Sequence, residues 1–290
     1  MKSILKQVKK IEIKTKKLVD GLISGNYHSI FKGQGIEFSE IREYKPGDDI
    51  RAIDWKVTAR FDRPFIKEFI EERDLRVMFL FDISSSNEFG NKISKNQKAI
   101  ELIATLMFSA MQNNDNVGMI LFSDKIEKYI PLRKGKKHVL SIISQLLSYK
   151  PESKNTDIKN TLSHTIKMLK RRSIIFMVSD FISKDFSREL QILKNKHDVI
   201  AINLLDNREL SIPDVGLILL EDEETGEQIE VNTSDIEFRK RYKEIIKDQQ
   251  DKTEIMFRRF KIDKLDIKTD EEYIIPLKKF FALRQHRVNR

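Results

Sequence analysis

Asp82, Ser84 and Ser86 stand at i, i+2 and i+4, directly after the apolar run Val77-Met78-Phe79-Leu80-Phe81. In an extended segment alternate side chains point to the same side, so one carboxylate and two hydroxyls can present oxygen to one point in space. That donor set suits magnesium, a hard cation that takes oxygen ligands in near-octahedral array, keeps several waters and is held by one or two carboxylates. The same residue types also cap helices. Asp and Ser in a turn before a helix starting near Asn91 or Ser94 would satisfy free backbone N–H groups, and for this short pattern alone capping is the first reading.

Two further oxygen donors lie downstream. Asn155-Thr156-Asp157 opens an amphipathic segment with Ile158, Leu162, Ile166 and Leu169 on one face, which puts Thr156 at a loop-to-helix junction. A second apolar run, Ser173 to Ser179, ends in Asp180. Taken singly, Thr156 reads as an N-cap and Asp180 as a turn residue before a helix over Asp185 to Lys196. Taken together, Asp82, Ser84, Ser86, Thr156 and Asp180 supply two carboxylates and three hydroxyls.

The elements that must position them alternate. The run Leu75 to Phe81 predicts a strand. Ser94 to Gln112 predicts a helix with little polar face, through Ala99, Ile100, Leu102, Ile103, Leu106, Met107 and Met111. Val117 to Phe122 predicts a strand with Lys125 to Pro131 returning antiparallel beside it, and Lys137 to Leu147 a helix. The Thr156 helix, the Asp180 strand, the Asp185 helix and a strand over His197 to Leu205 follow. Such βα repetition predicts an α/β fold: a doubly wound, mainly parallel sheet with helices on both faces. Ligands in those sheets collect beyond the carboxyl ends of strands at a topological switch point, where both Asp82 and Asp180 are expected.

These residues carry a resemblance. Asp82-x-Ser84-x-Ser86, Thr156 and Asp180 in a strand-ending Val-Ser-Asp resemble the metal-ion-dependent adhesion site of von Willebrand factor A domains. The resemblance implies that the serines and the threonine bind the cation while the aspartates bind it directly or through water. Where that family usually has Gly after the second Asp, this chain has Phe181, expected to alter the loop without removing a ligand. A second stretch, Arg42-x-Tyr44-x-Pro46-Gly47-Asp48-Asp49-x-Arg51-x-Ile53-Asp54-Trp55 with Ala59-Arg60 beyond it, is similar to the signature of the bacterial family called domain of unknown function 58. That family carries a von Willebrand A-like domain and tends to be encoded beside MoxR-type AAA+ ATPases. The resemblance implies a MoxR-type ATPase as partner, and a client protein whose Asp or Glu meets the metal. Mg2+ is the expected cation, with Mn2+ and Ca2+ as the other candidates.

Composition sets the remaining bounds. The 290 residues are 40% hydrophobic and 34% charged, the balance of a globular protein, with no cysteine and hence no thiol catalysis, zinc thiolate or disulfide. No apolar run approaches the roughly 18 residues of a membrane span, and Met1 to Asp20 is too charged for a signal-peptide core, so a cytoplasmic protein is expected. The net charge of +9 raises a nucleic-acid or membrane-surface alternative. The N-terminal lysines, however, share their segment with Ile4, Val8, Ile11, Leu18 and Val19 at helical spacing and read as the wet face of an amphipathic helix. A metal-dependent hydrolase or phosphatase is the catalytic alternative. A dehalogenase-type phosphatase needs a second Asp two residues after the first, and that position is Ser84; nucleotide loops and a nucleophile elbow are also missing, so a non-enzymatic binding module is expected.

The expected organisation is an N-terminal helix and β-rich subdomain over residues 1–74, the α/β domain over 75–233, and a helical extension over 234–290. In the first, Lys45-Pro46-Gly47-Asp48 is a turn, and Asp48, Asp49, Arg51, Asp54 and Arg60 suggest an ion-pair network with Trp55 as its packing anchor, favoured over a partner surface. In the last, Ser234-Asp235-Ile236-Glu237 predicts a capping box, and Phe238, Tyr242, Ile245 and Ile246 a core stripe.

Overall fold

A computed structural model of the chain describes residues 2–22, 37–61, 63–70, 75–84, 95–153, 155–206, 212, 214–221 and 228–288. They fall into two compact units, Phe31–Leu75 and Met1–Ile30 with Arg76–Arg290. The chain starts with α1 (Lys2–Leu22), which packs on the helices Lys95–Gln112 and Lys136–Ser148 of the larger unit. Val8 and Thr15 are buried while Lys6, Lys9 and Lys10 face solvent, as the amphipathic pattern predicts. The sequence grouped this helix with the β-rich segment; packing puts it with the sheet.

In the smaller unit β1 (Glu37–Glu43) pairs antiparallel with β2 (Phe65–Ile70), and a 3-10 turn (Ile50–Ala52) and α2 (Trp55–Phe61) lie between them in sequence. Arg42 donates to both oxygens of Asp48 at 2.7 and 2.9 Å. That pairing, with the amide of Lys45, holds the Asp48 carboxyl down at about 2. Asp54 accepts from the amide of Lys56 at 3.0 Å, capping α2, and pairs with Lys67 at 3.2 Å. Ion pairs therefore exist within this unit, but they are made by Arg42 and Lys67 rather than by the expected Arg51 and Arg60; Asp49 instead accepts from the backbone amide of Arg51 at 2.9 Å. Trp55, expected as their packing anchor, is instead 68% exposed, because Asp54 makes it the first residue of a short helix with no buried side chain.

The larger unit continues through β3 (Arg76–Asp82), α3 (Lys95–Gln112), β4 (Asn116–Phe122), β5 (Ile126–Arg133), α4 (Lys136–Ser148), α5 (Ile158–Met168), β6 (Ile174–Ser179), α6 (Ser187–Lys196) and β7 (Asp198–Leu205). A hairpin of β8 (Leu217–Glu221) and β9 (Gln228–Asn232) follows, then α7 (Ile236–Arg259), β10 (Asp263–Lys268) and α8 (Ile274–Val288). Six strands form one sheet in the order β10-β7-β6-β3-β4-β5, parallel throughout except for β5, which runs antiparallel to β4 at the edge. The fold is the α/β architecture with a mainly parallel sheet that the alternation predicts.

The central strands read as continuous apolar runs because helices cover both faces. Phe79 and Phe176 are register partners in β3 and β6 and stack at 5.2 Å. On the other side of the sheet Met78, Leu80 and Met177 pack with Ile158 and Leu162 of α5, Leu190 and Leu193 of α6, and Phe257 of α7. Crossovers move from β3 through β4 to β5 in one direction, and from β6 through β7 to β10 in the other. The switch point therefore lies between β3 and β6.

Residues 234–290, expected as a helical extension, also supply β10, the edge strand beside β7. Leu265 and Ile267 are buried and Asp266 and Lys268 exposed, so only two apolar side chains mark this strand in the sequence. Arg284 of α8 bonds to Asp198 of β7 and, at 2.7 Å, to Asp263 of β10, fastening the C-terminal helix across two strands. The cap of α7 is Asp235, which accepts from the amide of Glu237 at 2.8 Å, while Ser234 turns away to Asp214. Within α7 only Phe257 is buried; Ile245 of the expected stripe is 60% exposed. Among the described residues no helix is long and apolar enough to cross a membrane.

Candidate metal centre

Asp82 is the last residue of β3, and Asp180 follows the last residue of β6, its neighbour in the sheet. Parallel pairing brings both carboxylates to the same end of the sheet at the switch point, as the spacing of strands and helices predicts. Asp82 is fully buried. Its Oδ2 accepts from the Ser179 hydroxyl at 2.7 Å and its Oδ1 from the amide of Ser84 at 3.1 Å. Burial, and then the negative charge of Asp180, push its carboxyl up to about 7, against hydrogen bonds from Ser179 and Ser84 that pull it down. Ser84 is likewise fully buried. Ser86 lies outside the described residues.

Asp180 accepts from the amide of Ile182 at 3.1 Å, an Asx turn that fixes its carboxylate at the mouth of the loop. Phe181 adopts φ of 60°, the left-handed backbone that a glycine would take without cost. The loop thus keeps a glycine-like path despite the side chain. The ring of Phe181 is buried and meets Phe257 of α7 edge-on at 5.0 Å, so the departure from glycine secures α7. The ring contact offsets the backbone strain of roughly 1–2 kcal/mol.

Thr156 is half-buried and shares one cleft with Asp180. Capping of α5 falls to Asp157, whose carboxylate accepts from the amide of Asn160 at 2.9 Å, so the capping expectation for Thr156 gives way to its neighbour. The loop is held from both sides. The amide of Asp157 donates to the Ser123 carbonyl beyond β4 at 3.0 Å, and that of Ile158 to the Ser183 hydroxyl beyond β6 at 3.5 Å.

Two residues of the site escaped sequence reasoning. Ser179 bridges the ends of β3 and β6, accepting from the amide of Phe181 at 3.0 Å while donating to Asp82. Lys95, the first residue of α3, is fully buried with its ammonium 3.9 Å from Asp180 Oδ2. A cation at a helix N-terminus opposes the helix dipole, and burial adds a desolvation cost, so the nearby Asp180 carboxylate is what offsets the placement of this ammonium. Its sequence signal was a lysine opening an otherwise apolar helix, which reads as an ordinary wet first turn. His164, by contrast, is exposed on the polar face of α5.

Among the described residues no three His, Cys, Asp or Glu side chains cluster as a cation cage. The strand ends offer two carboxylates with hydroxyls beside them. All donors are oxygen, the carboxylates are few, and the proximity of two negative charges inside the protein is the electrostatic condition that a dication relieves. The residues fit magnesium better than a calcium cage rich in carboxylates or a nitrogen- and sulfur-ligated zinc.

The family model described as "Protein of unknown function DUF58" matches residues 40–252. A Mycobacterium tuberculosis protein, Rv1480, is 29% identical over 220 residues, covering 74% of this chain and 69% of that protein. Among solved structures, BatB from Bacteroides thetaiotaomicron is similar at 16% identity and a TM-score of 0.49, over 73% of this chain and 99% of that one. Proximal thread matrix protein 1 of the mussel byssus, in a structure with a zinc-occupied MIDAS motif, is similar at 22% identity and a TM-score of 0.37, over 45% and 38% of the two chains.

Proposed function

This chain belongs to the DUF58 protein family, and from that premise we propose that it is a non-catalytic, divalent-metal-dependent protein-binding module of von Willebrand A type. The observation that carries the reading is the convergence of Asp82 and Asp180, one fully buried and the other nearly so, at the ends of adjacent parallel strands. Asp82, Ser84, Thr156 and Asp180, with Ser86 from the sequence motif, would hold Mg2+. When bound, the cation supplies an exchangeable coordination position that an Asp or Glu of another protein can take.

The chain's own residues prepare that position. Ser179 and the Ser84 amide orient the Asp82 carboxylate, the Asx turn orients Asp180, and Lys95 balances part of their charge. A binding role is preferred over catalysis because the position two residues after Asp82 is a serine and supplies no acid or base. By family resemblance the co-acting partner is a MoxR-type AAA+ ATPase, with the module recruiting a client for assembly or maturation.

Isothermal titration with MgCl2 and MnCl2 tests the metal claim: wild type should give saturable binding that the Asp82→Ala/Asp180→Ala variant lacks. Absent binding in wild type, or equal binding in the variant, sinks it. Capture of the ATPase with and without EDTA tests the partner, and turnover of generic phosphate esters would reopen the enzyme reading.

A further inference from the structure

Helix α1 packs on α3 and α4, burying Val8 and Thr15, and turns a second face to solvent. Lys6, Lys9, Lys10 and Ile13 share that outer face at i, i+3, i+4 and i+7, with Leu5 beside them, and all five are exposed. In sequence Lys2, Lys16 and Lys17 continue the same spacing. On the flanks of the helix Lys14 pairs with Glu101 at 2.6 Å and Glu12 with Lys136 at 2.5 Å. Among the described residues no carboxylate pairs with Lys6, Lys9 or Lys10. Like charges three and four residues apart repel, so this face costs the helix stability that an opposing anionic surface would restore. Leu5 and Ile13, standing among these lysines, are 62% and 54% exposed. They leave apolar area in contact with water inside a cationic face.

Side-chain chemistry selects one kind of anionic surface. Residues 2–22 contain no arginine and no aromatic residue. The face therefore lacks the guanidinium forks that read bases and the rings that stack on them. It also lacks the Trp, Tyr and Arg that anchor protein interfaces, whose cores are depleted in lysine. A bilayer needs neither, because its headgroups attract ammonium groups without a fixed geometry and its acyl boundary takes up aliphatic side chains. We infer that the outer face of α1 docks this protein on an anionic phospholipid bilayer, with the lysines at the headgroup phosphates and Leu5 and Ile13 reaching the acyl boundary. The contact is peripheral and reversible by salt. It is independent of the metal reading, since α1 supplies none of the five oxygen donors.

Co-sedimentation of the full chain with phospholipid vesicles tests the docking. Vesicles of phosphatidylcholine with about 30% phosphatidylglycerol should bind the protein at about 0.1 M NaCl and pure phosphatidylcholine vesicles should not; about 0.5 M NaCl should weaken binding about tenfold or more. Lys6→Gln/Lys9→Gln/Lys10→Gln should lose about a hundredfold in affinity, at roughly fivefold per lysine. Leu5→Ser/Ile13→Ser should lose about tenfold at unchanged charge. All five positions are exposed, so both variants should melt no lower than wild type. A short DNA duplex followed by fluorescence anisotropy is the rival anion, and its binding should not respond to Leu5→Ser/Ile13→Ser. Equal binding to both vesicle types, no binding to either, or full binding by the lysine variant overturns the docking. Vesicle binding untouched by Leu5→Ser/Ile13→Ser, with a duplex bound as tightly, would mark a general polycation and overturn it as well.

Discussion

Asp82 carries the sharpest consequence of the site's electrostatics. Its carboxyl ionises near 3.8 in the unfolded chain and near about 7 in the folded, metal-free protein, because burial and Asp180 both oppose its charge. A raised acid contributes fully below the unfolded value, and that contribution is lost as pH rises through the folded value. The difference amounts to about 4 kcal/mol. Thermal melts in EDTA should therefore show wild type losing stability between about pH 4 and pH 7, with a flatter profile for Asp82→Asn; saturating Mg2+ should restore wild type at neutral pH. Lys95 should report on the same charges with opposite sign. Lys95→Met removes the ammonium near Asp180, so the metal-free protein should lose about 3 kcal/mol while Mg2+ binds about tenfold more tightly. Calorimetry and melts on the variant check both halves, and weaker Mg2+ binding would contradict the assigned role. Neither effect was legible in the sequence: two aspartates 98 positions apart and a lysine at a helix start become coupled only when β3, β6 and α3 meet.

At the scale of elements, the loop after β6 links the candidate metal centre to α7 through one residue. Phe181 pays for a left-handed backbone and gains a buried contact with Phe257. Phe181→Gly should relieve the strain but lose the ring, a net cost of about 2–4 kcal/mol with α7 loosened from the sheet. Urea denaturation and hydrogen exchange along α7 measure this, and a variant as stable as wild type would show that the ring contributes little. The long strands and the helices over 95–112, 136–148 and 158–168 were legible because their periodicity is strong. The cap of α5 was placed one residue early, on Thr156 rather than Asp157, because Thr and Asp are both good N-caps and only the backbone geometry chooses. That shift matters for function: with capping assigned to its neighbour, Thr156 stays at the cleft.

For the molecule as a whole, the sheet reaches almost to the C-terminus. β10 covers the edge of β7, and Arg284 ties α8 to both strands. Deleting residues 260–290 should therefore expose an apolar parallel strand and leave Asp198 without its arginine, giving an aggregation-prone protein with no cooperative melt. A truncated protein that melts sharply would show the C-terminal segment to be separable. Charge at this scale is mixed: Lys6, Lys9 and Lys10 form the wet face of a packed helix within a chain of net charge +9.

The sequence by itself determined the α/β alternation, the five oxygen donors and the family signature, because buried parallel strands impose apolar runs and short motifs keep their spacing in any fold. Tertiary structure alone decided that Ser179 and Lys95 share the centre and that Trp55 faces solvent. Each of those depends on which strand lies beside which, and strand order is set by crossovers whose handedness and packing leave no mark on local composition.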